Sequence, residues 1–143
     1  MRPLARWRPT EVRADVGAGF WVAEAPAMRH AILGALTGAE RARSTASATL
    51  VFETGAEERV VVVWRNRFVG FVPPSHAAPL RAQLASAGRV RLITEGQVLE
   101  RDGVWRVWAG TGAPDDAAPA PADELAPPPP RIFGMVIRDE RRP

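Results

Sequence analysis

Cysteine is absent from the 143 residues, which removes disulfide frameworks, thiolate nucleophiles and cysteine-ligated zinc in one step and suits a reducing compartment. Lysine and tyrosine are missing as well, and all 19 basic side chains are arginine. Every fixed positive charge is therefore a planar fork that fits phosphate and carboxylate better than an ammonium does. The skew accompanies abundant alanine, proline, glycine and valine, as a GC-rich coding bias produces. The formal charge is only +3, a weak field for drawing in a polyanion. No run approaches the roughly 18 apolar residues a membrane helix needs. The basic opening Met1-Arg2-Pro3-Leu4-Ala5-Arg6-Trp7-Arg8 is not followed by an apolar stretch, because Glu11, Arg13, Asp15 and Glu24 interrupt it. A cytoplasmic protein without membrane association is expected.

Catalytic constellations are lacking too. His30 and His76 are far apart and have no companion at the spacings of a local metal pair. The serines at 44, 47, 75 and 86 sit in no nucleophile-elbow pattern. Glu57-Glu58 and Asp115-Asp116 lie in turn-like and proline-rich stretches, without surroundings that would lift one carboxylate for acid-base work. No glycine cluster cradles a phosphate. Binding rather than catalysis is expected, with no cofactor and no metal.

The chain divides by composition. Residues 1–18 hold Arg2, Arg6, Arg8 and Arg13 with Pro3 and Pro9 and little apolar periodicity, which reads as a loosely ordered basic arm. Residues 19–112 look foldable. A strand at Gly19-Phe20-Trp21-Val22 precedes Pro26 at a first helical position, and Met28, Ile32 and Leu36 then repeat on one face of a helix ending near Gly38. Gly34 inside it costs about 1 kcal/mol relative to alanine, so the helix depends on docking. Strands follow at 45–52 and 58–64, read as an antiparallel pair around Thr54-Gly55. The unbroken valines of the second predict burial on both faces in a central position. Arg65-Asn66-Arg67 turns into a third strand over 68–72. Pro73-Pro74-Ser75 stops it, and a helix over 79–87 presents Leu80, Leu84 and Ala87 before Gly88. Two strands flanking Arg101-Asp102-Gly103 make a hairpin. The fold class is mostly β with two short helices, an α+β domain.

Residues 113–130 carry half of the 14 prolines together with acids and alanine, a semi-rigid acidic spacer reaching about 3.1 Å per residue. Beyond it, 131–143 is an apolar island followed by charge. Ile132, Phe133, Met135, Val136 and Ile137 are read either as a last strand packing back on the core or as a tethered peptide that docks a protein partner.

Trp64, Phe68, Phe71, Trp105 and Trp108 interleave with Arg65, Arg67, Arg89, Arg91, Arg101 and Arg106. On a small barrel, rings stack bases while arginines hold phosphates. In so small a core at least three of the five rings go inside.

Val60-Val61-Val62-Val63-Trp64-Arg65-Asn66-Arg67-Phe68-Val69-Gly70-Phe71-Val72-Pro73, followed by a helix, resembles the core of HIRAN-type domains, with Val69-Gly70-Phe71-Val72-Pro73 the sharpest match. The likeness extends over about residues 19–112. It implies a small SH3/OB-like barrel of about six strands with two helices, acting as an accessory domain that binds single-stranded nucleic acid, DNA ends in characterised members. Trp64, Arg65, Arg67, Phe71 and Arg91 are the residues expected to carry that binding. The chain departs from the family at Glu53-Thr54-Gly55-Ala56-Glu57-Glu58-Arg59, which places acids where the family has an Asn-Pro-x-Asp-x-Asn segment.

Overall fold

The computed structural model describes residues 10–114 and the backbone of 131–132 and 135–136; the remainder of the arm, spacer and tail, including Phe133 and Ile137, lies outside the described residues. The elements run β1 (Glu11–Arg13), β2 (Phe20–Trp21), a 3-10 turn (Ala25–Met28), α1 (Arg29–Ala35), α2 (Gly38–Arg43), β3 (Thr45–Thr54), β4 (Val60–Trp64), β5 (Arg67–Phe71), α3 (Pro74–Ala87), β6 (Arg91–Arg101) and β7 (Val104–Ala109). A separate two-strand ladder joins β8 (Arg131–Ile132) to β9 (Met135–Val136).

One curled sheet has the order β2-β7-β6-β3-β4-β5, all antiparallel, and β1 adds in parallel beside β6. The β4–β5 and β6–β7 turns both use paired left-handed residues, Arg65 and Asn66 in one, Asp102 and Gly103 in the other. That geometry matches the twist of the strands it joins. The curl brings the sheet's ends together at a single bridge, where Ala23 and Phe71 exchange backbone hydrogen bonds of 2.8 and 2.9 Å. Glycine is required at this seam: Gly70 has φ 147°, and a Cβ there would lie 2.5 Å from the Ala23 carbonyl oxygen and 2.6 Å from Val22 Cγ1.

Strand alternation sorts the side chains. Phe20 and Val22, Leu50 and Phe52, Val60, Val62 and Trp64, Val98, Trp105 and Val107 fill the inside of the curl. Ile32 and Leu36 of the first helical region and Ala77 and Leu80 of α3 complete the core. The mostly β, α+β class expected from the pattern is present, and the curled sheet is the small barrel that the resemblance implied.

Four local expectations are corrected. The second half of the arm is structured, since residues 11–13 pair with 91–93 of β6; an isolated three-residue strand carries little periodicity to read. The first helix stops at Leu36, and Gly38 opens α2 instead of ending α1. Thr37 and Glu40 form a reciprocal capping box that fixes α2, a helix additional to the two expected. The last helix starts at Pro74, whose fixed φ suits the first helical position, and Pro79 is absorbed inside it. Finally, β4 alternates: Val61 and Val63 are only half-buried, although the strand does lie between β3 and β5.

Candidate functional site

The five residues expected to bind nucleic acid are dispersed. Trp64 is 1% exposed and belongs to the core, so its ring offers no stacking face; it points inward with Val60 and Val62 because strand residues alternate. Leu50 pairs with both Trp64 and Thr94, and Arg91 stands three residues further along β6, roughly 10 Å away in the strand direction. Phe71 and Arg91 therefore lie toward one end of the barrel, and Arg65 and Arg67 form the turn at the other.

At that turn the arginines are committed to the protein. Arg65 donates from Nη1 to Glu40 Oε1 (2.8 Å) and from Nη2 to Oε2 (2.9 Å), a bidentate pair. Its Nη1 also donates to the Ala35 carbonyl at the end of α1 (2.9 Å), and its guanidinium lies 4.4 Å from the centre of the Trp64 ring. The hydrogen bonds from Arg65, with that from the Thr37 backbone N–H, hold the Glu40 carboxyl down at about 2 from its ordinary 4.5. The same contact raises the Arg65 pKa. Arg41 Nη2 donates to the Leu33 carbonyl (2.8 Å), so two arginines satisfy open carbonyls at the α1 C-terminus. Arg67 rests its guanidinium on Gly34, where a Cβ would come within 3.0 Å of Nη1. Gly34, costly in a helix, makes room for that contact.

The outer face at the seam has a different character. Phe71 projects outward beside Val61, half-buried, with the Arg59 guanidinium 3.6 Å from its ring centre. Phe68 meets it edge-on at 5.0 Å. Across the Ala23–Phe71 bridge, Trp21 also faces outward, packs edge-on against Trp108 at 5.1 Å, and has Arg101 5.5 Å from its ring centre. Trp21 pairs with Trp108, and Val22 N donates to the Val107 carbonyl (2.9 Å). Continuing that register sets Arg106 beside Ala23, in the row that reaches Phe71. Three half-buried rings and three arginines thus surround the seam. Glu53, paired with Val61, is the acid on the same row.

Sequence reasoning included Phe68, Phe71, Arg101 and Arg106 in its wider aromatic-arginine set but missed Trp21 and Arg59. Alternation was the available signal for Trp21, since Phe20 and Val22 point inward and leave it outward. Arg59 falls in the acid-rich turn, whose left-handed Glu57 and Glu58 bring the chain back toward β5 in a way no periodicity shows.

Other chemistry is sparse. His76 stacks on Phe20 at 4.6 Å and shares a 2.9 Å hydrogen bond with Ser75, while His30 is exposed. No group of three or more metal-ligating side chains forms among the described residues, and no helix among them is long and apolar enough to cross a membrane. The geometry defines a small α+β barrel with an aromatic-arginine surface at its seam. Compared with known proteins, the chain matches no family model, no curated protein and no solved structure.

Proposed function

We propose that the barrel is a HIRAN-like accessory domain that binds single-stranded nucleic acid across its seam. The observation that carries the reading is the pair of guanidinium-ring stacks on the outer face, Arg59 on Phe71 and Arg101 on Trp21. A base stacks on an aromatic face or on the plane of a guanidinium, and the edge donors of the guanidinium reach phosphate. Trp21 and Ala23 are two residues apart on one face, about 7 Å along the strand, so the Trp21 and Phe71 sites suit neighbouring bases. The likeness of 60–73 to HIRAN-type domains supports the same class of ligand, with Phe71 shared between that likeness and the seam.

Fluorescence anisotropy of labelled single-stranded DNA, with free and with blocked 3′ ends, tests this at several salt concentrations. Neutralisation of one phosphate by Arg59 gives log K falling with log salt at a slope of about −0.7, and each further phosphate neutralised steepens it by the same amount. Weaker binding to blocked ends supports end recognition. Absence of binding at low salt rejects the reading.

A further inference from the structure

A second surface lies away from the seam, between β1 and α3. Among the described residues β1 is an edge strand, paired only with β6. Thr10 O accepts from Arg91 N (3.1 Å) and Ala14 N donates to Ile93 O (2.7 Å), so by alternation the N–H and C=O groups of Glu11 and Arg13 point away from β6. Beside this edge runs a groove of about 350 Å³ lined by Val12, Ala82, Ala87 and Leu92, with Arg13, Gln83 and Ser86 as its polar members. Val12, 42% exposed, is one of two large apolar side chains exposed among the described residues. Gln83 fixes the groove's width, accepting from Asp15 N (2.8 Å) and donating to Asp15 O (3.0 Å). Strand edges left open in this way pair with other chains unless they are covered.

We infer that the chain's own segment 131–137 docks in cis on the β1 edge, with apolar side chains entering the groove. Three observations select this occupant. The chain leaves the barrel beside the groove: Gly110 N donates to Glu95 O (2.8 Å), two residues along β6 from the Ile93 carbonyl that holds Ala14, about 7 Å away. Residues 111–130, at about 3.1 Å each if they run as polyproline, are long enough to return to this edge, and a tether that spans two sites makes their contact intramolecular. The β8–β9 ladder pairs only Arg131 with Val136 and Ile132 with Met135. So small a hairpin is at best marginal in water, and its apolar sequence calls for a surface. The two outward-facing residues of β1 match a strand of that length. Docking covers the edge and keeps the barrel from pairing with other copies.

The test uses the full chain and residue-resolved amide hydrogen exchange, comparing wild type with Ser86→Arg, on the exposed groove wall, and Val136→Asp, on the docking segment. The Glu11 and Arg13 amides are expected to exchange at least about tenfold faster in each variant than in wild type, equally at low and high protein concentration, while Leu50 and Val62 stay protected. Equal exchange at Glu11 and Arg13 in all three proteins overturns the inference. So does wild-type protection that grows with protein concentration, which would assign the edge to a second copy. Because the variants alter opposite sides of the contact, misfolding of one, reported by Leu50 and Val62, leaves the other to decide.

Discussion

The 65–67 turn and the seam are built from the same two residue types, arginine and aromatic side chains, and they are arranged in opposite ways. At the turn, Trp64 is core and Arg65 is held by both oxygens of Glu40 and by a helix carbonyl. A phosphate arriving there would have to displace a carboxylate already in fork geometry. At the seam, Arg59 lies on the face of Phe71, an arrangement that leaves a guanidinium's edge donors directed outward. Adjacency of arginine and tryptophan in sequence therefore says little about binding. The nearest carboxylate decides whether a guanidinium is locked between elements, as Arg65 is by Glu40, or lies on a ring as Arg59 does.

The largest expected effect breaks the turn from within. Trp64→Ala should cost about 3–5 kcal/mol, the usual range for a buried aromatic truncated to alanine, read as a lower urea midpoint. The folded fraction should bind single-stranded DNA as the wild type does, because the seam is untouched. Gly70→Ala should cost more than about 1 kcal/mol, since alanine is strained at φ 147° and its Cβ would press on Ala23. Unlike Trp64→Ala, it should also weaken binding by shifting Phe71 away from Trp21. Equal binding by the two variants would mean that seam geometry is irrelevant to the ligand.

The comparison sharpens with variants that leave the fold standing. Phe71→Ala should weaken single-stranded DNA binding by about 1–3 kcal/mol, the worth of one base-aromatic stack. Arg59→Ala should lower both affinity and the salt slope, the slope by about 0.7 for each phosphate that is no longer neutralised. Arg65→Ala should change affinity less than about twofold. The reverse ranking in an anisotropy titration, Arg65 dominant and Arg59 silent, would return the interface to the turn.

How much of this was legible in the sequence depends on the range of the interaction that decides each feature. The 101–103 and 65–67 turns, β3 to β7 and the two apolar helices were readable because period and turn chemistry are local. Strand β1 was not, because three residues in parallel pairing owe their structure to β6, eighty positions away. Helix α2 was readable in principle: Thr37-Gly38-Ala39-Glu40 is a capping-box spacing, obscured by treating Gly38 as a stop. The site was legible in composition but not in membership. Alternation within 60–64 assigns Trp64 to one face, yet which face is inward follows only from the packing of the other strands. The Arg65–Glu40 pair joins two elements whose docking no local pattern specifies.

The smallest expected effect isolates that pair by pH. Glu40 has its pKa held at about 2 in the fold against an ordinary 4.5, chiefly by the hydrogen bonds from Arg65. A carboxylate with a depressed folded pKa stabilises the fold fully above its unfolded value and loses that contribution as pH falls toward the folded one. Arg65 stays charged throughout, so the change belongs to Glu40. Glu40→Gln, which keeps an acceptor for the Thr37 N–H but has no proton to gain, should melt below wild type above pH 4.5. The gap should narrow between pH 4.5 and about 2 and be closed below that, while the acid loss shared by other carboxylates cancels in the difference. A gap that stays constant across this window would show that the Glu40 charge contributes nothing. Arg65 would then act at the turn through the Ala35 carbonyl and the Trp64 ring alone.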